Sequence, residues 1–403
     1  MRFIVVLFSC LFLLNCKEKT QPKLALGVWR ATLETKGNDV LPFNFKVESD
    51  STLVVFNAEE KIFVNEITYK NDSIVIKLPV FDSYIKAKMY GDSLLEGAYI
   101  KDELKRTVPF KAVFNDVFRF EAKDKPLVDV SGNWETTFSP DSEDSSQAKG
   151  IFVQQGQRVT GTFRTTTGDY RFLEGVMDGD SLKLSAFDGS HAFLFTAQVE
   201  DSTLSGMFYS GNHYKEPFIA KRNDAFQLAD ADSLTFLKPG YDAISFSFPD
   251  ETGKLVSLSD PQFKDKVVVV QLMGTWCPNC LDETKYFKSY LDNYPSNDVA
   301  FVGLAFEYAK TEEQAFKNID RLKKRLDIQY PVLLAQTGST SKQSAQEKLP
   351  MLNTVLSYPT AIFIDKKGKV RKIHTGFNGP ATGDLYENYK EEFEQFMAML
   401  LSE

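Results

Sequence analysis

Cysteine is scarce in this chain, four residues in 403, and histidine is scarcer still, with three. Long basic runs are missing, and the formal net charge is −8 with a pI near 5.2. Such a chain offers a phosphate backbone no electrostatic footprint, which excludes nucleic acid as a partner. Long apolar runs are missing too, apart from one at the start, so a multi-spanning membrane protein is excluded. Proline (16) and glycine (23) are too few for a disordered or collagen-like chain. What is plentiful is apolar material: 43% of residues are hydrophobic and 34 are Phe. That is enough for several cores, and at ~100–200 residues per domain the length predicts two to four of them. Abundant Phe suits many short, half-buried strands that each need a bulky inward side chain.

The one apolar run is N-terminal. Arg2 precedes the almost wholly apolar Phe3–Leu14, and Asn15-Cys16 gives way to Lys17-Glu18-Lys19-Thr20-Gln21. A positive residue, a short apolar core and an abrupt polar switch make a secretory leader, too short to span a bilayer. Leu13-Leu14-Asn15-Cys16 resembles the lipobox of bacterial lipoproteins, with Asn15 where that motif usually has a smaller residue. The resemblance implies that residues 1–15 are removed and Cys16 is lipidated. Residues 16–24 would then tether the protein to a membrane of the cell envelope, facing the periplasm or the outer surface. Loss of Arg2 takes the net charge from −8 to −9. An ordinary cleaved signal with an incidental Cys is the alternative. Cys10 falls inside the leader, so a single thiol pair remains, Cys277 and Cys280. An exported chain with no cysteine to spare for a structural bridge keeps a C-x-x-C for chemistry.

Residues 25–116 alternate apolar and polar with period two, as in Phe43-Asn44-Phe45-Lys46-Val47, between turn signals such as Asn71-Asp72-Ser73. The block repeats over 127–222: Gly27-Val28-Trp29 corresponds to Gly132-Asn133-Trp134, Gly97 to Gly206 and Pro109-Phe110 to Pro217-Phe218. The offset stays between 105 and 109 residues, which predicts two tandem all-β modules. A Gly-x-Trp opening such a module resembles the lipocalin-like up-and-down barrels, the ring plugging one end and the Gly letting the strand bend. Each module reads either as a ligand cup or as a packed spacer that holds the rest of the chain off the membrane. Residues 223–240, closing on Pro239-Gly240, read as a linker. From 241 to 403 strands alternate with helical patterns, an α/β domain. Val267–Leu272 and Val299–Phe306 read as strands buried on both faces. Cys280–Leu291, Glu312–Leu326 and Asp384–Leu401 read as helices, and Ala361–Asp365 with Val370–Ile373 as a hairpin.

In that frame Trp276-Cys277-Pro278-Asn279-Cys280 follows a buried strand and opens a helix. Unpaired N–H groups and the positive end of the helix dipole favour a thiolate at Cys277. Pro278 suits the first turn, where its missing N–H costs nothing. Two intervening residues bring the sulfurs within bonding reach, so Cys280 can resolve a mixed disulfide formed at Cys277 by thiol–disulfide exchange. A zinc site needs four ligands, and His191, His213 and His374 are scattered, so no metal is expected. No cofactor is invoked either.

Together with Tyr358-Pro359-Thr360 before the next strand, this motif resembles the thioredoxin superfamily, and within it the exported, often membrane-tethered reductases of the TlpA/ResA type, over residues 241–403. The resemblance implies a cis peptide at Pro359, packed beside a redox-active Cys277–Cys280 disulfide. It implies a Tyr358 backbone that pairs with an incoming peptide, and a Glu six residues after the first Cys, here Glu283. On a helix Glu283 shares a face with Cys280, placed to exchange the resolving thiol's proton. Asp282 is the alternative for that role, and a solvated surface carboxylate the alternative for Glu283. Lys285 stands where the family usually has a Pro. Trp276 would shield the sulfur. The implied activity is reduction of disulfides on client proteins, the pair being re-reduced by an upstream thiol donor. Alternatives are a ligand-binding lipoprotein with an accessory redox domain, an oxidase of the same chemistry, or a peroxidase. The last would want a Thr where Gly274 stands.

Overall fold

The structure, a computed structural model, describes residues 22–403. The expected leader and Cys16 lie outside the described residues. Among those described, no helix is long and apolar enough to cross a membrane.

The period-two stretches form two antiparallel barrels. In the first, strands from Gly27–Glu34 to Arg106–Phe114 pair in chain order, and the last pairs back on the first. Glu60–Val64 pairs back to Thr52–Asn57 and Glu66–Lys70 forward to Ser73–Lys77, so a strand interrupted at Asn65 nearly closes the ring. In the second, Arg158–Thr165 pairs with both Ser146–Gln155 and Leu173–Asp178, which closes it. The sequence repeat is a structural one. Trp29 and Trp134 are both fully buried, and each donates its indole N–H to the carbonyl four residues back, Ala25 at 3.0 Å and Val130 at 2.9 Å. Gly27 and Gly132 sit at φ +130° and +111°, where a Cβ is strained.

Side chains fill both barrels. In the second, Phe163, Phe195 and Phe208 stack in succession at 4.7 and 4.6 Å, with Phe138 and Phe218 against them. Such rings occupy the interior that a cup would leave open. The barrels also share a core: Phe187 of the second stacks on Phe43 of the first at 4.2 Å.

The α/β region has a five-stranded sheet in the order Val332–Gln336, Val299–Phe306, Val267–Met273, Thr360–Ile364, Val370–Thr375. The first three run parallel, Thr360–Ile364 runs antiparallel to them, and Val370–Thr375 pairs antiparallel with Thr360–Ile364. Val267–Met273 is buried at every residue, as its β-branched run requires in a central strand. Helices Pro278–Asn293, Glu312–Leu326 and Asp384–Ser402 cover it. The middle one begins where Thr311 caps the Gln314 N–H and ends at Asp327 in the left-handed conformation. Val80 and Phe81 of the first barrel join this domain's core. The expected linker is packed down rather than free: Asp232 pairs with Lys372 at 2.9 Å and His374 at 2.7 Å, and Leu237 bridges to Leu352. Barrels and α/β domain therefore form one packed body.

Candidate active site

Cys277 is the N-cap of the Pro278–Asn293 helix, with Pro278 in its first turn, so the motif opens the helix two residues earlier than the apolar pattern alone predicts. Cys277 and Cys280 form a disulfide with Cα atoms 5.2 Å apart, and Cys277 Sγ accepts the Cys280 N–H at 3.2 Å. The Tyr358–Pro359 peptide is cis, and the Tyr358 carbonyl oxygen lies 3.6 Å from Cys277 Sγ. Tyr358 stacks on Phe306 at 5.2 Å and meets Trp276 edge-on at 6.0 Å. Trp276 is half-buried and donates its indole N–H to the Phe306 carbonyl at 2.9 Å. Trp276, Cys277, Cys280, Tyr358 and Pro359, distant in sequence, thus meet at one end of the sheet.

Glu283 is fully buried, not a solvated surface group. Its Oε2 accepts from Gln271 Nε2 at 2.8 Å, and the same amide reaches the Cys280 carbonyl at 3.3 Å. Burial with a single neutral donor pushes the Glu283 carboxyl up to about 8, and its Oε1 has no protein partner. A carboxylic acid poised near neutrality one turn from Cys280 can hold or release a proton there.

Asp282 does something else. It points away from the sheet to Arg171 of the second barrel, which is 3% exposed, and to Lys285 at 3.1 Å. Burial pushes the Asp282 carboxyl up, but Arg171 and Lys285 outweigh it, and the net shift is downward. An ionised carboxylate clamped by two cations is no proton carrier, so Asp282 is not the alternative to Glu283. Arg171 also pairs with Glu60 of the first barrel at 2.8 Å and Asp188 of the second at 3.3 Å. One guanidinium therefore ties both barrels to the helix that carries the cysteines.

The strand end Arg158–Thr165 and the short Gly168–Asp169 strand form a hairpin lying directly on this site. Asn279, between the cysteines, donates to the Asp169 carbonyl at 3.5 Å, and the Gly379 N–H donates to the Asp169 carboxylate at 2.6 Å. A Cβ at Gly376 would lie 2.5 Å from the Thr167 backbone, so only glycine lets the two segments meet. Ser190 Oγ donates to the Trp276 carbonyl at 2.9 Å. Cys277 is left 6% exposed.

A second buried acid flanks the motif. Glu307 accepts from the Thr275 N–H at 2.7 Å and its hydroxyl at 2.8 Å, and burial still pushes its carboxyl up to about 7. Nothing in the sequence analysis singles out Glu307, Gln271 or Arg171. The available signal was a lone polar residue inside or ending an otherwise apolar strand, which describes both Gln271 and Glu307.

The geometry is that of a dithiol–disulfide exchange site, and the family match and the sequence relatives agree with it. Residues 238–388 match the Redoxin family model. The chain is 30% identical over 142 residues to the thiol-disulfide oxidoreductase ResA of Bacillus subtilis, a match spanning 35% of this chain and 69% of that protein. It is 29% identical over 158 residues to ResA of Bacillus thuringiensis, spanning 39% of this chain and 76% of that one. A solved thiol:disulfide interchange protein of the thioredoxin family from Chlorobium tepidum is 23% identical, covers 40% of this chain and 95% of its own, and has a TM-score of 0.30. Through this C-terminal domain the chain belongs to the Redoxin-domain, ResA-like thiol–disulfide oxidoreductases.

Proposed function

We propose that this oxidoreductase is an envelope protein, anchored through lipid on Cys16, that reduces disulfides of client molecules. The chain divides into two lipocalin-like modules, 25–116 and 127–222, a packed connector 223–240, and the redox domain 241–403. Cys277 attacks the client disulfide, Cys280 resolves the mixed disulfide, Glu283 exchanges the proton, and Tyr358-Pro359 receives the client backbone beside the shielding Trp276. An upstream thiol donor restores the dithiol. The observation that carries this reading is the Cys277–Cys280 pair at a helix N-terminus, with a buried, proton-holding Glu283 behind it. The alternative of ligand-cup barrels with an accessory redox domain loses support because aromatic side chains fill the barrels.

Two measurements test the reading. Cys277→Ser is expected to abolish turnover, and Cys280→Ser to accumulate a mixed disulfide with the client; full activity in either variant sinks the assignment. The equilibrium potential of the pair, from thiol alkylation in redox buffers, is expected near or below about −270 mV, and a value near about −120 mV would make the protein an oxidant instead.

A further inference from the structure

We propose that the cleft where both barrels meet Trp276 is a binding site for a small, carboxylate-bearing disulfide with an aromatic or apolar body, and that such molecules are substrates of this enzyme. The inference rests on the reductase reading above and names its substrate class.

The cleft has a volume of about 530 Å³. That is within the range of small-molecule sites, ~300–1,000 Å³. The first barrel contributes Lys101 and Arg106, the second Tyr170, Phe193 and His213, and the redox domain Trp276 and Tyr308. Trp276 in the lining is the residue before Cys277, which puts the cleft next to the motif, although neither cysteine itself lines it. Its walls are largely aromatic, suited to stacking a flat or apolar body. Its lining holds two cations, Lys101 and Arg106, against one acid, Glu216, while Asp188, Asp82 and Glu103 act on Lys101 from outside the lining. Lys101 is buried, and its ammonium contacts only the Ser190 carbonyl at 3.1 Å and hydroxyl at 3.4 Å. Among the described residues no carboxylate lies within 4.0 Å of Lys101 or Arg106. The one acid in the lining, Glu216, is engaged by Ser139 at 2.6 Å. Burial holds the Lys101 ammonium down to about 8, and burial together with Arg106 and Lys101 holds His213 down to about 4. A bound carboxylate would relieve the buried Lys101 ammonium, beside a His213 that is neutral at physiological pH.

The size of the substrate follows from a separate observation. The Thr165–Asp169 segment lies against Asn279 and the loop before Phe377, so a folded client meets the second barrel first. A small molecule in the cleft needs no such displacement. In the reaction the Cys277 thiolate attacks one sulfur of the substrate, whose other half leaves as a thiolate and takes a proton. The Cys280 thiolate then attacks Cys277 Sγ, the second half leaves, and the Cys277–Cys280 disulfide closes. Two electrons pass from the protein to the substrate, and a thiol donor returns them.

The test uses the full, pre-reduced chain and two aromatic disulfides, the dianionic 5,5′-dithiobis(2-nitrobenzoate) and the uncharged 2,2′-dithiodipyridine, followed by stopped-flow absorbance. Arg106→Met and, separately, Lys101→Met are expected to slow the dianionic substrate about tenfold, the loss of one charge-assisted contact, while the neutral one stays within about twofold. Equal slowing of both, or of neither, in both variants overturns the cleft as an anion site. Failure of the wild-type dithiol to reduce either compound would instead remove the reductase reading on which it stands.

Discussion

The two barrels share one plan, yet they hold the redox domain by opposite means. The first uses apolar side chains and exposed charges: Val80 and Phe81 enter the core under the sheet, while Arg321 reaches Glu66 at 2.8 Å and Arg325 reaches Asn65 at 2.8 Å across the surface. The second uses a buried polar cluster, with Arg171 among Asp282, Asp188 and the first barrel's Glu60, and a backbone hairpin pressed on the Cys-Pro-Asn-Cys turn. An apolar plug is favourable in many orientations, because burial depends on area and not on angle. A buried guanidinium among carboxylates is favourable in one geometry only, because each charge left unpaired there is costly. The first barrel thus supplies adhesion, and the second fixes how closely the site is covered.

The largest effect is expected where that cluster is broken. Arg171→Met leaves Asp282, Asp188 and Glu60 without their common cation, a change that costs about 3–5 kcal/mol in comparable buried pairs. Hydrogen exchange of the Thr165–Asp169 backbone and of the first turn of the Pro278–Asn293 helix should accelerate by more than about a hundredfold, since ~1.4 kcal/mol is a factor of ten. Exchange there unchanged from wild type would mean that the hairpin is held by something else, and the contrast between the barrels would fail.

How much of this was legible beforehand depends on distance along the chain. Local patterns gave the strand Val299–Phe306 and the helix Glu312–Leu326 to the residue, because a continuous apolar run and amphipathic spacing are local properties. The Trp29/Trp134 repeat was visible because the same tertiary need recurs twice. Cys277, Cys280, Glu283 and Pro359 were visible through spacing and family resemblance. The Arg171–Asp282 contact was not, as it joins residues 111 apart and neither one's neighbours announce it. Glu307 was not singled out, although it stands alone as a charge between Phe306 and Tyr308 where a fully buried stretch of strand ends.

The next effect sharpens the contrast within one helix, where Asp282 faces the cluster and Glu283 faces the sheet. Glu283 holds its proton up to about 8, whereas in the unfolded chain a Glu ionises near 4.3. Between those values the folded state binds more protons than the unfolded one, so this group makes stability fall as pH rises through the window. Glu283→Gln removes that slope. Relative to wild type, the variant should gain about 3–4 kcal/mol on going from pH 5 to pH 8, read from urea melts of the oxidised protein. Parallel pH curves would show that Glu283 is ionised in the fold and is not the proton carrier.

The smallest effect is expected at the first barrel's surface contacts. Arg321 is 29% and Glu66 42% exposed, so their attraction acts through water and is offset by the entropy of holding two long side chains. A double-mutant cycle of Arg321→Ala and Glu66→Ala should therefore give a coupling of about 0.2–1 kcal/mol. In 1 M salt, where screening reaches about 3 Å, most of it should vanish. Arg171→Met should keep its cost in the same salt, because Arg171 and Asp282 are 3% and 4% exposed and ions cannot come between them. Salt is therefore the direct discriminator between the two attachments. A coupling at Arg321 and Glu66 that survives high salt, or an Arg171→Met penalty that disappears in it, would reverse which barrel fixes the geometry over the cysteines.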